Sequence, residues 1–209
     1  MRLYHFLPAD HALDDLVKGR LKIAEIPNLN DPFELWASGQ RDPKVREPLR
    51  RWKSDMSKRF GLLCFSAEKD NPVLWSHYAD RHKGICLGFE VRDAVVDPMN
   101  YVESRTELRP PLTEAYVREL LFTKYFGWGY EKEWRSWCLL EEPDSSASGY
   151  YFKAFDDDLQ IREVIAGPLC DVSRRAIEDA LRSSSWSVDI QKARLAFRSF
   201  RVVKDLRGF

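Results

Sequence analysis

Residues 130–135, Tyr-Glu-Lys-Glu-Trp-Arg, combine charged and aromatic side chains in a segment whose composition is otherwise typical of a buried β-strand. Because successive side chains of a strand point to opposite faces, Glu131, Glu133 and Arg135 are predicted to share one face. Placing three ionisable groups against an apolar core costs free energy, so this face is expected either to line a polar cleft or to contact solvent. A charged edge strand that resists aggregation is the simpler interpretation. The tryptophans on both sides of the segment favour a cleft wall.

The composition sets few limits on possible partners. The chain has 209 residues, 44% of them hydrophobic, and its 33 basic and 33 acidic residues give a formal net charge of +0. Net charge therefore gives no argument for nucleic-acid or membrane binding. No apolar run approaches the roughly 20 residues that span a bilayer, and the first residues lack the apolar region of a signal peptide. We expect one soluble, cytoplasmic domain over residues 1–209, without a membrane partner.

The four cysteines, Cys64, Cys86, Cys138 and Cys170, are widely spaced, and each lies in or beside an apolar segment. They form no C-x-x-C motif and no Cys/His pair with the spacing of zinc ligands. We therefore expect reduced thiols in the core and predict no metal site. A nucleophilic cysteine is the alternative.

Strand and helix patterns follow one another without strict alternation, which predicts the α+β class, with a split, mostly antiparallel sheet and flanking helices. Helices are predicted from an Asp10 cap, over residues 45–60 from about Pro48, from an Asn71 cap to His82 and Lys83 with Gly84 as the stop, and over 112–125 and 172–182. Strands are predicted at residues 2–7, 21–26, 61–66, 85–91, 150–154, 161–166, 186–190 and 195–203, and around Glu131 and Glu133.

The helix at about residues 43–60 is predicted to be a peripheral addition to the domain. Its apolar residues recur at helical spacing and define one face, and most of its other positions are basic. A solvated face is the simpler interpretation of these basic residues. A ridge that binds phosphate groups or a partner is the alternative.

Four residues place polar or aromatic groups in apolar segments. His5 lies in the middle of the first strand, and Ser66 closes a later strand just before a loop. Trp75 and Tyr78 lie three residues apart on one helix face and are able to cover a flat ring. The simpler interpretations are a hydrogen-bonded core histidine, a turn serine and two core aromatics.

Several motifs together resemble a bacterial family that is catalogued as domain of unknown function 2971. The resemblance extends over nearly the whole chain, but the family name implies kinship and no established chemistry. The motifs are Leu3-Tyr4-His5-Phe6, Asn30-Asp31-Pro32-Phe33-Glu34, Leu63-Cys64-Phe65-Ser66, Trp75-Ser76-His77-Tyr78-Ala79-Asp80, His82-Lys83-Gly84 and Tyr130-Glu131-Lys132-Glu133-Trp134-Arg135.

A more distant resemblance is to the ADP-ribosyltransferase fold. Its order of elements is a short strand with His or Arg, a strand that ends in a small hydroxyl residue, and a later strand with Glu. The resemblance implies that NAD is a substrate, that His5 anchors its ribose and belongs to the catalytic set with Glu131 and Glu133, and that Ser66 is the strand-end hydroxyl. It makes Tyr78 the aromatic that stacks on nicotinamide, with Trp75 as its rival. Tyr4 completes the implied NAD-binding set in the first strand.

The same resemblance assigns the catalytic carboxylates. Glu133 would stabilise the cationic sugar that forms as nicotinamide leaves, and Glu131 would be the first acid of a Glu-x-Glu pair that activates the acceptor. Arg135 would pair with Glu133 and contribute to the NAD site. His5, Ser66, Tyr78, Glu131 and Glu133 are accordingly predicted to line one cleft.

The predicted function is therefore transfer of ADP-ribose from NAD to a macromolecular acceptor, protein or nucleic acid, with a bacterial toxin or defence effector as the setting that the resemblance implies. The chain has no G-x-G-x-x-G, P-loop or G-x-S-x-G motif. One alternative is a non-catalytic module that binds nucleic acid or protein through the basic helix. The other is a metal-dependent phosphodiesterase that uses Glu131, Glu133 and Asp31 of the 30–34 loop.

Overall fold

A computed structural model describes residues 1–33, 38–39, 42–107, 113–145 and 149–209. These residues form five α-helices, which are α1 (Ala9–Lys18), α2 (Pro43–Arg59), α3 (Pro72–Tyr78), α4 (Glu114–Leu121) and α5 (Arg174–Ala180). None of these helices is long and apolar enough to cross a membrane.

The same residues form fifteen mostly short strands. They are β1 (Arg2–Leu7), β2 (Arg20–Lys22), β3 (Ala24–Glu25), β4 (Ser38–Gly39), β5 (Phe60–Ser66), β6 (Ile85–Val91), β7 (Asp97–Pro98), β8 (Asn100–Val102), β9 (Thr106–Glu107), β10 (Thr123–Tyr125), β11 (Glu133–Leu139), β12 (Phe152–Ala154), β13 (Leu159–Ala166), β14 (Asp189–Leu195) and β15 (Val202–Lys204).

The chain divides into two compact units. Unit 1 comprises Met1–Lys22, Phe65–Val95 and Lys153–Phe209, and unit 2 comprises Ile23–Cys64 and Val96–Phe152. Most strand pairs within the units are antiparallel, and the pairs of β13 with β14, β8 with β10 and β4 with β9 are parallel. The predicted α+β class with mostly antiparallel strands is therefore confirmed.

Unit 1 is built on a sheet in the order β15-β14-β13-β6-β1, and β1 also pairs with the end of β5. The central strand β6 is buried along almost its whole length, since both of its faces are covered. Helix α3 contacts β1, and helix α1 contacts both β6 and α5. Leu3, Leu87, Phe89 and Ile161 are fully buried and form the core of the sheet.

Unit 2 contains the neighbouring strands β3, β5 (residues 60–64), β11 and β7, together with the parallel pair of β8 and β10. Its core cluster is Ile26, Leu62, Met99, Leu121 and Phe122. Several partly buried aromatic residues pack against this cluster, including Trp52 of α2. One face of the basic helix is thereby held to the core of its own unit.

The predicted helical range of about 43–60 agrees with α2, but two predicted helix starts are too late, by about five residues at Pro48 and by two at Asp10. Helix α2 begins at Pro43 and not near Pro48, because the Asp42 carboxylate caps it by accepting from the Lys44 N–H at 2.8 Å. Pro43 therefore occupies the first helical turn, where proline is tolerated, and Pro48 lies inside the helix. Helix α1 begins directly after Pro8, so Asp10 lies in the first turn and does not cap it.

The predicted cap of α3 is confirmed, but its predicted end is wrong. The Asn71 side chain accepts from the Val73 N–H at 2.9 Å, and Pro72 opens the helix. The helix ends at Tyr78, because Asp80, Arg81 and His82 all adopt positive φ, at 42°, 53° and 71°. Gly84 therefore does not terminate the helix.

Other boundaries also differ from the predictions. Helix α4 is shorter than residues 112–125, since Thr113 caps it and residues 123–125 join β10. Helix α5 covers less than residues 172–182 and is capped by Ser173. The closing strands lie at 189–195 and 202–204, not at 186–190 and 195–203. None of the four cysteines forms a disulfide. Cys86 and Cys170 are buried in the core as predicted, whereas Cys64 and Cys138 are only partly buried.

Candidate functional site

Four charged side chains of unit 2 form a buried ion cluster, consisting of Lys124, Glu131, Glu133 and Arg135. The Lys124 ammonium donates to Glu131 Oε2 at 2.6 Å and to Glu133 Oε2 at 3.0 Å. Arg135 donates from Nε to Glu133 Oε1 at 2.6 Å and from Nη2 to Oε2 at 3.1 Å. The exposed fractions of the four residues are only 1–6%. The cluster pairs two cations with two carboxylates away from bulk solvent.

This arrangement differs from the sequence prediction in two respects. Glu131 does not lie on the strand, because residues 126–131 form a 3₁₀-helix and Lys132 follows it with φ of 45°. The strand begins at Glu133, from which Arg135 projects on the same face. The charged groups are also neither a solvated edge nor an open cleft wall, since each is buried against an opposite charge.

The electrostatics of the cluster keep Glu133 ionised. Burial alone would raise its pKa, but the charges of Arg135 and Lys124 outweigh this effect and lower the pKa to about 2. Burial alone would lower the pKa of Lys124, whereas Glu133 and Glu131 raise it above its ordinary value. Glu133 is therefore a carboxylate, and Lys124 an ammonium, throughout the physiological pH range.

Lys124 is the member of the ion cluster that the sequence analysis did not single out, because the predicted helix over residues 112–125 includes it. It instead lies on β10, where it pairs with Tyr101 of β8. Its ammonium also lies 4.8 Å from the centroid of the Trp128 ring, which adds a cation–π contact. A lysine within the largely apolar run at residues 120–126 was the signal that could have identified it.

Tyr101 links this strand pair to the ion cluster. Its hydroxyl oxygen accepts from the Glu133 N–H at 2.9 Å. Burial is the main cause that raises the pKa of Tyr101, to about 12, and the charges of Glu133 and Glu131 act in the same direction. The hydrogen bond from the Glu133 N–H lowers the pKa but does not cancel the effect of burial. The neutral phenol thus holds the first residue of β11 in place.

A cavity of about 280 Å³ in unit 2 reaches the ion cluster at Lys124. Two of its aromatic side chains, Phe33 and Tyr125, are more than half exposed, and the Arg105 guanidinium lies 4.5 Å from the centroid of the Phe33 ring. The lining residues are Phe33, Val102, Glu103, Ser104, Arg105, Thr123, Lys124 and Tyr125. The cavity offers flat apolar surface and positive charge to a ligand.

In unit 1, Tyr4 and Ser66 lie directly opposite each other in the ladder between β1 and β5, so their side chains share one face of the sheet. The Lys69 ammonium lies 5.2 Å from the centroid of the Tyr4 ring and donates to Glu163 at 2.7 Å. The Ser66 hydroxyl oxygen accepts from the Glu68 N–H at 3.0 Å. Ser66 is 4% exposed and forms a turn at the strand end.

His5 lies on the opposite face of the same strand. Its ring packs edge-on against Phe65 with centroids 5.9 Å apart, and Phe65 in turn contacts Phe89. Because strand side chains alternate, the pairing of Tyr4 with Ser66 places His5 and Ser66 on different faces of unit 1. The structure therefore does not bring these two predicted site residues together.

The two aromatics of α3 differ in accessibility. Trp75 is fully buried, packs against Phe6 at 5.2 Å between centroids, and donates from Nε1 to the Lys69 carbonyl at 2.7 Å. It is a core residue of unit 1. Tyr78 is half-buried and contacts the exposed His77 ring, so Tyr78 is the candidate with surface left for a ligand ring.

Unit 1 contains another cavity, of about 430 Å³, beside the sheet face that carries Tyr4 and Ser66. It lies between strands β13, β14 and β15 and the segment at residues 69–75. Lys69, Gln191 and Lys204 provide polar groups, and Ile165 and Val202 provide apolar surface. Lys69 already contacts Glu163, and Lys204 lies 3.8 Å from Asp189.

The 30–34 loop forms a turn as far as it is described. Asp31 is 4% exposed and accepts from the Phe33 N–H at 2.8 Å, and Glu34 lies outside the described residues. In the described part of the chain, no three His, Cys, Asp or Glu side chains are grouped so that they could hold a metal ion. The ligand set of the phosphodiesterase alternative, Glu131, Glu133 and Asp31, thus gains no support there.

The prediction that residues of both units line one cleft stays a prediction, because His5, Ser66 and Tyr78 belong to unit 1 while Glu131 and Glu133 belong to unit 2. Comparisons of the chain with protein-family models, curated proteins and solved structures find no match. The resemblances to domain of unknown function 2971 and to the ADP-ribosyltransferase fold also stay predictions. The evidence on function is accordingly the geometry of the two units.

Proposed function

We propose that this protein transfers ADP-ribose from NAD to a macromolecular acceptor, with Glu133 as the carboxylate at the reacting centre. The supporting observation is that Glu133 is held rigidly, stays ionised and retains an unused acceptor position. An ionised carboxylate has about four lone-pair positions. Among the described residues, three N–H groups occupy Glu133, two of them on Oε2 and one on Oε1. Oε1 therefore has a remaining acceptor position for a ribose hydroxyl, which would have to reach a side chain that is 6% exposed.

The reaction places positive charge where this carboxylate would be useful. The bond between ribose C1 and the nicotinamide nitrogen breaks, and its electron pair leaves with nicotinamide. The ribose becomes an oxocarbenium-like cation, and a nucleophilic atom of the acceptor then bonds to C1 and loses a proton. In the ground state the positive charge is on the nicotinamide ring, and it moves to the ribose as the bond breaks. A preorganised carboxylate that accepts from the ribose hydroxyl therefore stabilises the transition state more than the ground state.

Glu131 would receive the acceptor proton in this scheme. Its Oε2 atom lies 2.6 Å from the Lys124 ammonium, which also contacts Glu133. Both carboxylates therefore face the same cation. In this scheme the nicotinamide end of NAD would enter the cavity of about 280 Å³, which meets the ion cluster at Lys124. The paired cations offset the cost of burying two carboxylates and fix their orientation before the substrate arrives.

The remaining roles follow the resemblance to the ADP-ribosyltransferase fold. By that resemblance Tyr4, Ser66 and Tyr78 of unit 1 are the NAD-binding candidates, with Tyr78 as the ring that stacks on nicotinamide, whereas His5 lies on the face opposite Ser66. Membership of the domain of unknown function 2971 family would make the protein bacterial, and a toxin or defence effector is the natural setting for the activity. The full burial of Trp75 argues for Tyr78 over Trp75 in the stacking role.

The test is release of nicotinamide from NAD and transfer of labelled ADP-ribose in the presence of cell lysate. Glu133→Gln keeps the shape and removes the charge, so the rate should fall on the order of a hundredfold or more. Glu133→Asp keeps the charge on a shorter side chain and should retain more activity than Glu133→Gln. Glu119→Gln makes the same chemical change on the exposed face of α4 and should leave the rate unchanged.

Folding and NAD binding are measured on the same variants, because Glu133→Gln removes the partner of a buried arginine. Loss of rate in a variant that still unfolds cooperatively and still binds NAD would support a catalytic role. If the wild-type protein neither binds NAD nor releases nicotinamide with any acceptor tested, the proposal fails.

The second candidate is a non-catalytic module that binds through α2. Seven of its 17 residues are basic and two are acidic, and Arg50 and Arg51 are exposed. Nucleic-acid binding with a steep salt dependence that weakens in Arg50→Gln/Arg51→Gln/Lys53→Gln would favour it.

A further inference from the structure

The loop between β14 and β15 holds two phenylalanines almost entirely in solvent. Phe197 is 86% exposed and Phe200 is 96% exposed. The loop spans residues 196–201 and is closed by a hydrogen bond from the Ala196 N–H to the Arg201 carbonyl at 2.9 Å. Below it, Leu195 and Val202 are paired in the antiparallel ladder. The two rings therefore lie at the tip of a regular hairpin in unit 1.

This tip is anchored to the rest of unit 1 at its base. Arg201 forms an ion pair with Asp70 at 2.8 Å, and the Val202 N–H donates to the Asp70 carbonyl at 2.9 Å. β15 is an edge strand of the sheet, and among the described residues its Val202 contacts the Asp70 backbone at the base of the tip, while Phe197 and Phe200 remain exposed. Exposed aromatic side chains on an anchored element are typical of interaction sites.

The charged side chains of the hairpin itself are basic, while Asp70, Asp189 and Asp205 lie at its base. Residues 190–204 contain five basic side chains and no acidic one. The Arg194 guanidinium lies 4.3 Å from the centroid of the Phe197 ring, which combines a cation with a flat apolar surface. Arg198 lies between the two phenylalanines in the sequence. The tip thus alternates rings and guanidinium groups.

We propose that this hairpin tip binds single-stranded nucleic acid, with unpaired bases stacked on Phe197 and Phe200 and phosphates neutralised by Arg194 and Arg198. Sequence-tolerant binding of single strands combines exposed aromatic rings with positive charge along the backbone. The tip provides both within six residues. The proposal does not depend on ADP-ribosyl transfer, because it concerns a different element and a different ligand.

Charge and spacing favour this occupant over two others. Insertion of both rings into a bilayer would also bring Arg198, which lies between them, toward the hydrocarbon at a high cost. A second copy of the chain docking tip to tip would bring like charges together. A single strand supplies separated flat bases and regularly spaced negative charges, which match the alternation of rings and cations.

The test is fluorescence anisotropy with labelled single-stranded DNA and RNA oligonucleotides of mixed sequence, compared with a duplex of the same sequence. Phe197→Ala/Phe200→Ala should weaken single-strand binding roughly tenfold for each ring, and Phe197→Tyr/Phe200→Tyr should restore it. Arg198→Gln should reduce the slope of log affinity against log salt by about one unit. Because these side chains are exposed, the melting temperature should stay unchanged in all variants.

Three outcomes would overturn the proposal. The first is no binding of either single strand at micromolar protein in low salt, and the second is equal binding by the wild type and the Phe197→Ala/Phe200→Ala variant. The third is that the two rings are required instead for sedimentation with anionic vesicles or for self-association in ultracentrifugation. The nicotinamide-release assay on the same Phe variant separates this result from the function proposed above, since its rate should match the wild type.

Discussion

Arg135 contacts both carboxylate oxygens of Glu133, from Nε to Oε1 at 2.6 Å and from Nη2 to Oε2 at 3.1 Å. The two residues are separated by one position on β11, and Arg135 is 1% exposed. A buried pair of this kind adds little net stability when formed, but it is costly to break on one side. It therefore fixes the position of Glu133 whether or not the carboxylate is catalytic.

Arg135→Met should destabilise the fold by about 3–5 kcal/mol, because it leaves the Glu133 charge buried with Lys124 as its remaining cationic partner. Urea unfolding measures the loss. Arg118→Met, which breaks an exposed ion pair with Asp97, should cost under about 1 kcal/mol. The double variant Glu133→Gln/Arg135→Met should lose less than the sum of its single variants; strict additivity would contradict the coupling.

Acid should destabilise the protein through Glu133. Its pKa is about 2 in the folded protein against 4.5 for an ordinary glutamate, so the folded state binds fewer protons at this site than the unfolded chain. The resulting stability, on the order of 3 kcal/mol, is fully present above about pH 4.5 and is lost as the pH falls toward 2. The difference in urea midpoint between the wild type and Glu133→Gln should become smaller as the pH is lowered from 5 to 4 to 3. A constant difference would argue against an ionised Glu133.

Asp15 of α1 should produce the opposite pH dependence. It is 5% exposed, and burial together with the Asp14 charge raises its pKa from 3.8 to about 7. The folded state therefore binds more protons at this site, so stability is highest below about pH 4 and falls as the pH rises to 7, on the order of 4 kcal/mol. Asp15→Asn should remove this fall. The measurement is the difference in melting temperature between pH 5 and pH 8. If this difference is the same in Asp15→Asn as in the wild type, the raised pKa of Asp15 is refuted.

Gly84→Ala should destabilise the protein by roughly 2–4 kcal/mol. A Cβ at this position would lie 2.2 Å from the Leu7 carbonyl oxygen and 2.8 Å from the Ala79 backbone, and the backbone has little room to move. Gly19→Ala is the matched control, since its Cβ would meet open space and only the positive φ of 62° is strained, at about 1 kcal/mol. The free energy of unfolding is measured by chemical denaturation. Equal decreases in the two variants would contradict the explanation by close contact at Gly84.

Local sequence determined the elements whose signals lie within a few residues. The strands at Arg2–Leu7 and Ile85–Val91 and the start of α3 at Asn71 and Pro72 are where the sequence predicts them. Caps and runs of apolar residues act over one turn or one strand, so they are visible without the rest of the molecule. The mixed α+β class with mostly antiparallel strands followed from these elements.

Tertiary structure decided where the charges of the Glu131–Arg135 segment lie. Alternation along a strand identified Glu133 and Arg135 as neighbours on one face, but it could not show that Lys124 would arrive from another strand to meet both carboxylates. Nor could it show that a 3₁₀-helix would bring Glu131 to the same ammonium, or that Tyr4 rather than His5 would share a face with Ser66. Burial of a charge depends on partners that are distant in the chain, and such partners come together only when the chain folds.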